Sequence, residues 1–87
     1  MNPVANELQL GAALRERRER AGLTQARLAE KAGVSRAFVI DLEAGKRARA
    51  ELVRVLAVMR ALELAIELVP ADTRSTGDVL TELLGEP

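Results

Sequence analysis

Apolar residues recur at helical spacing in four stretches of the chain and switch to alternation in a fifth. In the first stretch Leu10, Ala13 and Leu14 form one stripe, which predicts a helix over about 7–20. Asn6 and Gln9 precede it at capping-box spacing. Arg15, Arg17, Arg18 and Arg20 alternate with Glu16 and Glu19 on the outer side. Most of these charges are expected to be solvated and to contribute little individually. Gly22 ends the helix.

The next stretch, Thr24 to Glu43, predicts two short helices joined by a tight turn. Thr24 can cap the first of them, because its hydroxyl accepts from the free N–H groups of the opening turn. Leu28 and Ala29 face inward, and Ala29 is small where the helices would cross. Gly33 supplies the left-handed closing residue. Val34 leads in, Ser35 caps the second helix, and Val39 and Leu42 face inward three residues apart. Phe38, the only aromatic residue, is expected to pack at the edge of this motif.

A basic turn, Ala44-Gly45-Lys46-Arg47-Ala48-Arg49, precedes a fourth helix expected over about 50–61. Its core stripe is predicted as Leu52, Val55, Leu56 and Met59. Val53, Ala57, Val58 and Leu62 add a second apolar face, and a helix apolar nearly all round is buried on more than one side. Leu64, Ile66 and Leu68 then alternate with Ala65 and Glu67, which predicts a strand over about 64–69. Continuation of the helix is the alternative, since Ala, Leu and Glu are helix formers. Residues 71–87 read as an acidic tail in which Val79, Leu80, Leu83 and Leu84 could line one side of a short helix.

An 87-residue chain points to one small domain, organised as 1–70 plus the tail, with a core that a second copy would commonly supplement. It contains neither Cys nor His, which removes disulfides, thiolate metal sites and the usual general base. No catalytic, cofactor or metal site is expected. The opening residues lack a signal-peptide pattern and no apolar run is long enough to span a bilayer, so a cytoplasmic protein without membrane contact is expected. The formal net charge is zero, yet it is unevenly placed. Residues 1–49 hold ten Lys/Arg against six Asp/Glu, a balance of +4, and residues 50–87 hold three against seven, a balance of −4. A basic DNA-facing half beside an acidic remainder would look like this, as would a chance excess on solvated helix faces.

The residues Leu23-Thr24-Gln25, Leu28-Ala29, Gly33-Val34-Ser35, Leu42-Glu43 and Gly45-Lys46 resemble the Xre-like, phage-repressor type of helix-turn-helix. The resemblance covers roughly residues 10–62. It implies an all-α, four- to five-helix lambda-repressor-like DNA-binding domain, here with one short C-terminal β-strand pairing across a dimer. The second helix of the motif would be the reading helix. Ser35, Arg36, Ala37 and Ile40 project away from its inward stripe, and the matching positions contact bases in related repressors. Arg36 can bind guanine O6 and N7 together. Ala37 and Ile40 can meet a thymine methyl, although Ile40 departs from the polar residue often seen there and is equally well read as a surface apolar or interface residue. Asp41 would be repelled by phosphates; it either accepts from a cytosine amino group or points along the rim, and the rim is the favoured expectation. Gln25, at a helix N-terminus, and Lys46, Arg47 and Arg49, in the basic turn, are the expected DNA-backbone contacts. The family also implies a structural ion pair between Arg18 and Glu43.

The strand directly after the fourth helix is similar to that of HipB-type antitoxins. This implies a homodimer with Val53, Ala57, Val58, Leu64, Ile66 and Leu68 at its interface. It further implies repression from palindromic double-stranded DNA and a HipA-like serine/threonine-kinase toxin as partner. A stand-alone regulator and a helical module that binds protein only are the alternatives. Salt-dependent DNA binding separates the last of these from a repressor.

Overall fold

A computed structural model describes residues 3–47 and 49–71. It holds four helices: α1 (Glu7–Arg20), α2 (Gln25–Ala32), α3 (Arg36–Glu43) and α4 (Leu52–Ala61). The expected tail helix, with Val79, Leu80, Leu83 and Leu84, lies outside the described residues.

Local signals set the ends of the first three helices. The Asn6 side chain accepts from the Gln9 N–H at 2.8 Å, and Gln9 Oε1 accepts from the Ala5 N–H at 2.7 Å. Together they satisfy amides at the helix entry that would otherwise have no partner. Thr24 Oγ1 accepts from the Arg27 N–H, and Ser35 Oγ accepts from the Phe38 N–H. Gly33 closes α2 at φ 73°, a left-handed conformation that costs glycine little.

The core comprises Leu14 from α1, Leu28 and Ala29 from α2, Phe38, Val39 and Leu42 from α3, and Val55, Val58, Met59 and Ala61 from α4. Phe38 is 2% exposed, so it belongs to the centre of the fold rather than to the edge of the motif. On α1 the closest approach is made by Gly11. A Cβ there would lie 2.6 Å from the Glu43 carbonyl oxygen and would also collide with that of Leu42. Absence of a side chain lets α1 rest on the C-terminal backbone of α3.

The fourth helix differs from its predicted orientation. Leu52 is 65% exposed and Leu56 only partly buried, while Val55, Val58 and Met59 face the core. Val58 is therefore not on the outer face assigned to a dimer interface; it is 1% exposed inside its own chain. The reason is that this helix has apolar residues at several i, i+3, i+4 registers, and packing on α2 selects the one beginning at Val55. The helix also starts at Leu52 rather than near position 50, since the Ala50 N–H donates instead to the Arg47 carbonyl in a turn.

Beyond α4, Glu63 turns the chain at φ 58° and the Leu64 N–H donates to the Met59 carbonyl at 2.8 Å. The helix does not continue into 64–70, and this segment has no regular secondary structure in the single chain. The predicted strand finds no ladder partner among the described residues. Leu64 is partly buried against the core, whereas Ile66 is 56% and Leu68 93% exposed.

Candidate nucleic-acid interface

The most buried charged group of the described residues ties three helices together. Glu43, at the end of α3, accepts from Arg18 Nε at 2.7 Å and from Arg18 Nη2 at 3.1 Å. It also accepts from Gln25 Nε2 at 3.1 Å. Arg18 Nη1 donates to the Leu23 carbonyl at 2.8 Å, so the guanidinium clamps the α1–α2 turn as well. The hydrogen bond to Glu43 raises the Arg18 pKa above its ordinary value; burial opposes this, and the nearby Glu43 and Glu19 charges add to it. Side-chain exposures of 11% for Arg18 and 4% for Glu43 make this pair different in kind from the solvated Arg15–Glu19 and Arg20–Glu16 pairs of α1. A desolvated pair whose acceptor is met by three donors fixes the relative placement of α1, α2 and α3.

That placement orients the two helix N-termini beside each other. An open depression of about 450 Å³ lies between them, lined by Arg18, Thr24, Gln25, Ala26 and Arg36. A second of about 320 Å³ adjoins it, lined by Arg15, Arg18, Gln25, Ile40, Glu43 and Ala44. Gln25 and Arg36 are thus brought to one concave surface, and Ile40 stands on its border. The Gln25 amide is held by Glu43 and is half-buried rather than extended into solvent.

At α3 the cap Ser35 and the helix residues Arg36 and Ala37 are exposed, and Ile40 is 38% exposed. Arg36 makes no ion pair among the described residues. Ser35 has a hydroxyl engaged as the α3 cap, which uses an oxygen lone pair and leaves its proton to donate. Further along, Lys46 and Arg49 are exposed in the basic turn. Arg47 differs from them. Its Nε lies 3.6 Å from Asp41 Oδ2, and its guanidinium carbon is 5.3 Å from the centroid of the Phe38 ring.

Three features were not read from the sequence: the close seat of Gly11, the Gln25–Glu43 bond and the Asp41–Arg47–Phe38 cluster. A glycine in mid-helix is costly and so was a visible signal for the first. The other two depend on distances across elements. Among the described residues no group of three or more His, Cys, Asp or Glu is arranged to hold a metal ion, and no helix is long and apolar enough to cross a membrane.

A family model described as a helix-turn-helix domain matches residues 9–71. Among solved structures, a HipB–O4 20mer complex is similar with a TM-score of 0.75 and 26% identity, covering 83% of this chain and 100% of that chain. A HipA–HipB–O2–O3 complex is similar with a TM-score of 0.74 and 25% identity, over the same 83% and 100%. No curated protein matches the sequence at a significant level.

Proposed function

The chain belongs to the helix-turn-helix domain family, of Xre-like type and similar to HipB antitoxins, and from that premise we propose that it is a homodimeric repressor that binds palindromic double-stranded DNA and serves as the antitoxin of a toxin–antitoxin operon. The observation that carries the reading is the uncovered outer face of α3. Arg36, Ala37 and Ile40 face outward beside the concave surface shared with Gln25, in a fold that spans whole HipB chains. The first turn of a reading helix is the part that reaches base edges in the major groove. Arg36 reads guanine, and Ser35, Ala37 and Ile40 contact neighbouring bases. Gln25, Lys46, Arg47 and Arg49 meet phosphates and set the docking pose.

Dimerisation completes the reader. The strand expected at 64–69 pairs with its copy about a two-fold axis, which supplies the ladder partner it lacks alone. Val53, Ala57, Leu64, Ile66 and Leu68 form the apolar contact, and the exposure of Val53, Ile66 and Leu68 supports this. The axis places two reading helices about one DNA turn apart, roughly 34–36 Å. The partner toxin on this reading is a HipA-like serine/threonine kinase; the HipA–HipB–O2–O3 neighbour supports a HipA-like partner.

Selection of duplexes from a random pool, followed by titration against selected and scrambled sites, tests the DNA assignment. Arg36→Ala is expected to lower discrimination by about 1–3 kcal/mol. Unchanged discrimination overturns the role of Arg36, and absence of any salt-dependent duplex binding leaves the protein-only module as the reading.

A further inference from the structure

The basic turn is not a row of equivalent cations. Arg47 already has an anion and an aromatic face: Asp41 Oδ2 at 3.6 Å and the Phe38 ring at 5.3 Å. The Lys46 N–H donates to the Asp41 carbonyl at 2.9 Å, folding the turn back against the C-terminal half of α3. Phe38 is locked in the core at 2% exposed, so its ring is a fixed platform. The Asp41 and Arg47 side chains, by contrast, are 42% and 40% exposed. Their charges are open to water and to a third charge.

A DNA phosphate is such a third charge, and it competes with Asp41 for the same guanidinium. We infer that Asp41 is a specificity-determining residue of the DNA reader that acts through Arg47, holding its guanidinium on the Phe38 face and opposing its use as a general phosphate binder. This rests on the DNA-binding reading above. Affinity for an arbitrary duplex comes from neutralised phosphates and the counterions they release. By pairing with Arg47, Asp41 withholds one such neutralisation. At a selected site, base contacts fix the pose of α3. There, an Arg47 already held in place meets its phosphate with little further ordering cost. The penalty from Asp41 therefore falls harder on arbitrary DNA than on the selected site.

The full chain and its Asp41→Asn, Asp41→Glu, Arg47→Ala and Asp41→Asn/Arg47→Ala variants are titrated with a selected duplex and a scrambled one across a salt series. Asp41→Asn is expected to bind the scrambled duplex several-fold tighter, with a salt slope steeper by about one. Its affinity for the selected duplex changes less, so the ratio between the two falls several-fold. Asp41→Glu retains the parental behaviour. In the Arg47→Ala background, Asp41→Asn leaves the salt slope unaltered. An Asp41→Asn effect confined to one base pair and persisting without Arg47 means that Asp41 itself reads a base, and overturns the inference. So does an Asp41→Asn protein with an unaltered slope while the parent binds DNA. A parent without salt-dependent binding to any duplex removes the DNA reading and this inference together.

Discussion

The α2–α3 hairpin closes on itself, whereas the stretch from Glu51 to Pro70 leaves its apolar surface open. Both hairpin helices begin with a side-chain cap, from Thr24 and Ser35, and of their large apolar side chains Leu28, Phe38, Val39 and Leu42 are buried while Ile40 is 38% exposed. Helix α4 follows its N-cap residue Glu51 without a side-chain cap bond. Leu52 and Val53 are 65% and 64% exposed, and Ile66 and Leu68 follow them into solvent. On the proposed reading the difference separates two tasks: a reading helix is positioned by its own chain through Glu43, and a surface that a second copy would cover is left unfinished by the first.

The contrast breaks most severely on the hairpin side. Glu43→Ala leaves Arg18 and Gln25 without their shared acceptor, and removing one partner of a buried pair costs about 3–5 kcal/mol. Chemical denaturation should show this loss irrespective of protein concentration. Because folding raises the Arg18 pKa, the share of stability that comes from its charge is fully present below the unfolded value. It is lost only as pH rises through the folded value, so no loss from Arg18 is expected on moving from neutral to mildly alkaline solution.

On the open side, Ile66→Asp is expected to dissociate the dimer by placing an unpaired charge at the axis, and to abolish tight operator binding. Each monomer keeps its helices, since Ile66 is 56% exposed in the single chain. Sedimentation and circular dichroism read the two effects separately. A dimeric Ile66→Asp protein with normal operator affinity rules out the paired strand.

The smallest effects sharpen the comparison. Thr24→Ala removes a cap that accepts from the Arg27 N–H and should cost about 1 kcal/mol. Glu51→Ala, at a helix start with no cap bond, should stay within about 0.5 kcal/mol of the parent. Equal losses at the two positions would mean that the Thr24 cap gives the hairpin no advantage over the start of α4.

In the first three helices, features that depend on residues a few positions apart were readable from the chain; the alternation over 64–69 was not enough to make a strand in the single chain. The span of α1, the Thr24 and Ser35 caps, the Gly33 turn and the inward pairs Leu28–Ala29 and Val39–Leu42 all rest on such short-range chemistry. The helix-turn-helix fold follows from their agreement. The orientation of α4 was not readable in this way, since a helix apolar around most of its circumference satisfies several registers equally. Contact with α2 put Val58 inside and Leu52 outside.

The sequence by itself determined where the first three helices lie, how they are capped and where the charges fall, because those properties are local. Only the tertiary structure decided that Gly11 seats α1 on α3, that Glu43 serves Gln25 as well as Arg18, and that Arg47 is shared between Asp41 and Phe38. Each of these depends on distances between side chains and backbone groups from different elements, and such distances exist only once helices have packed.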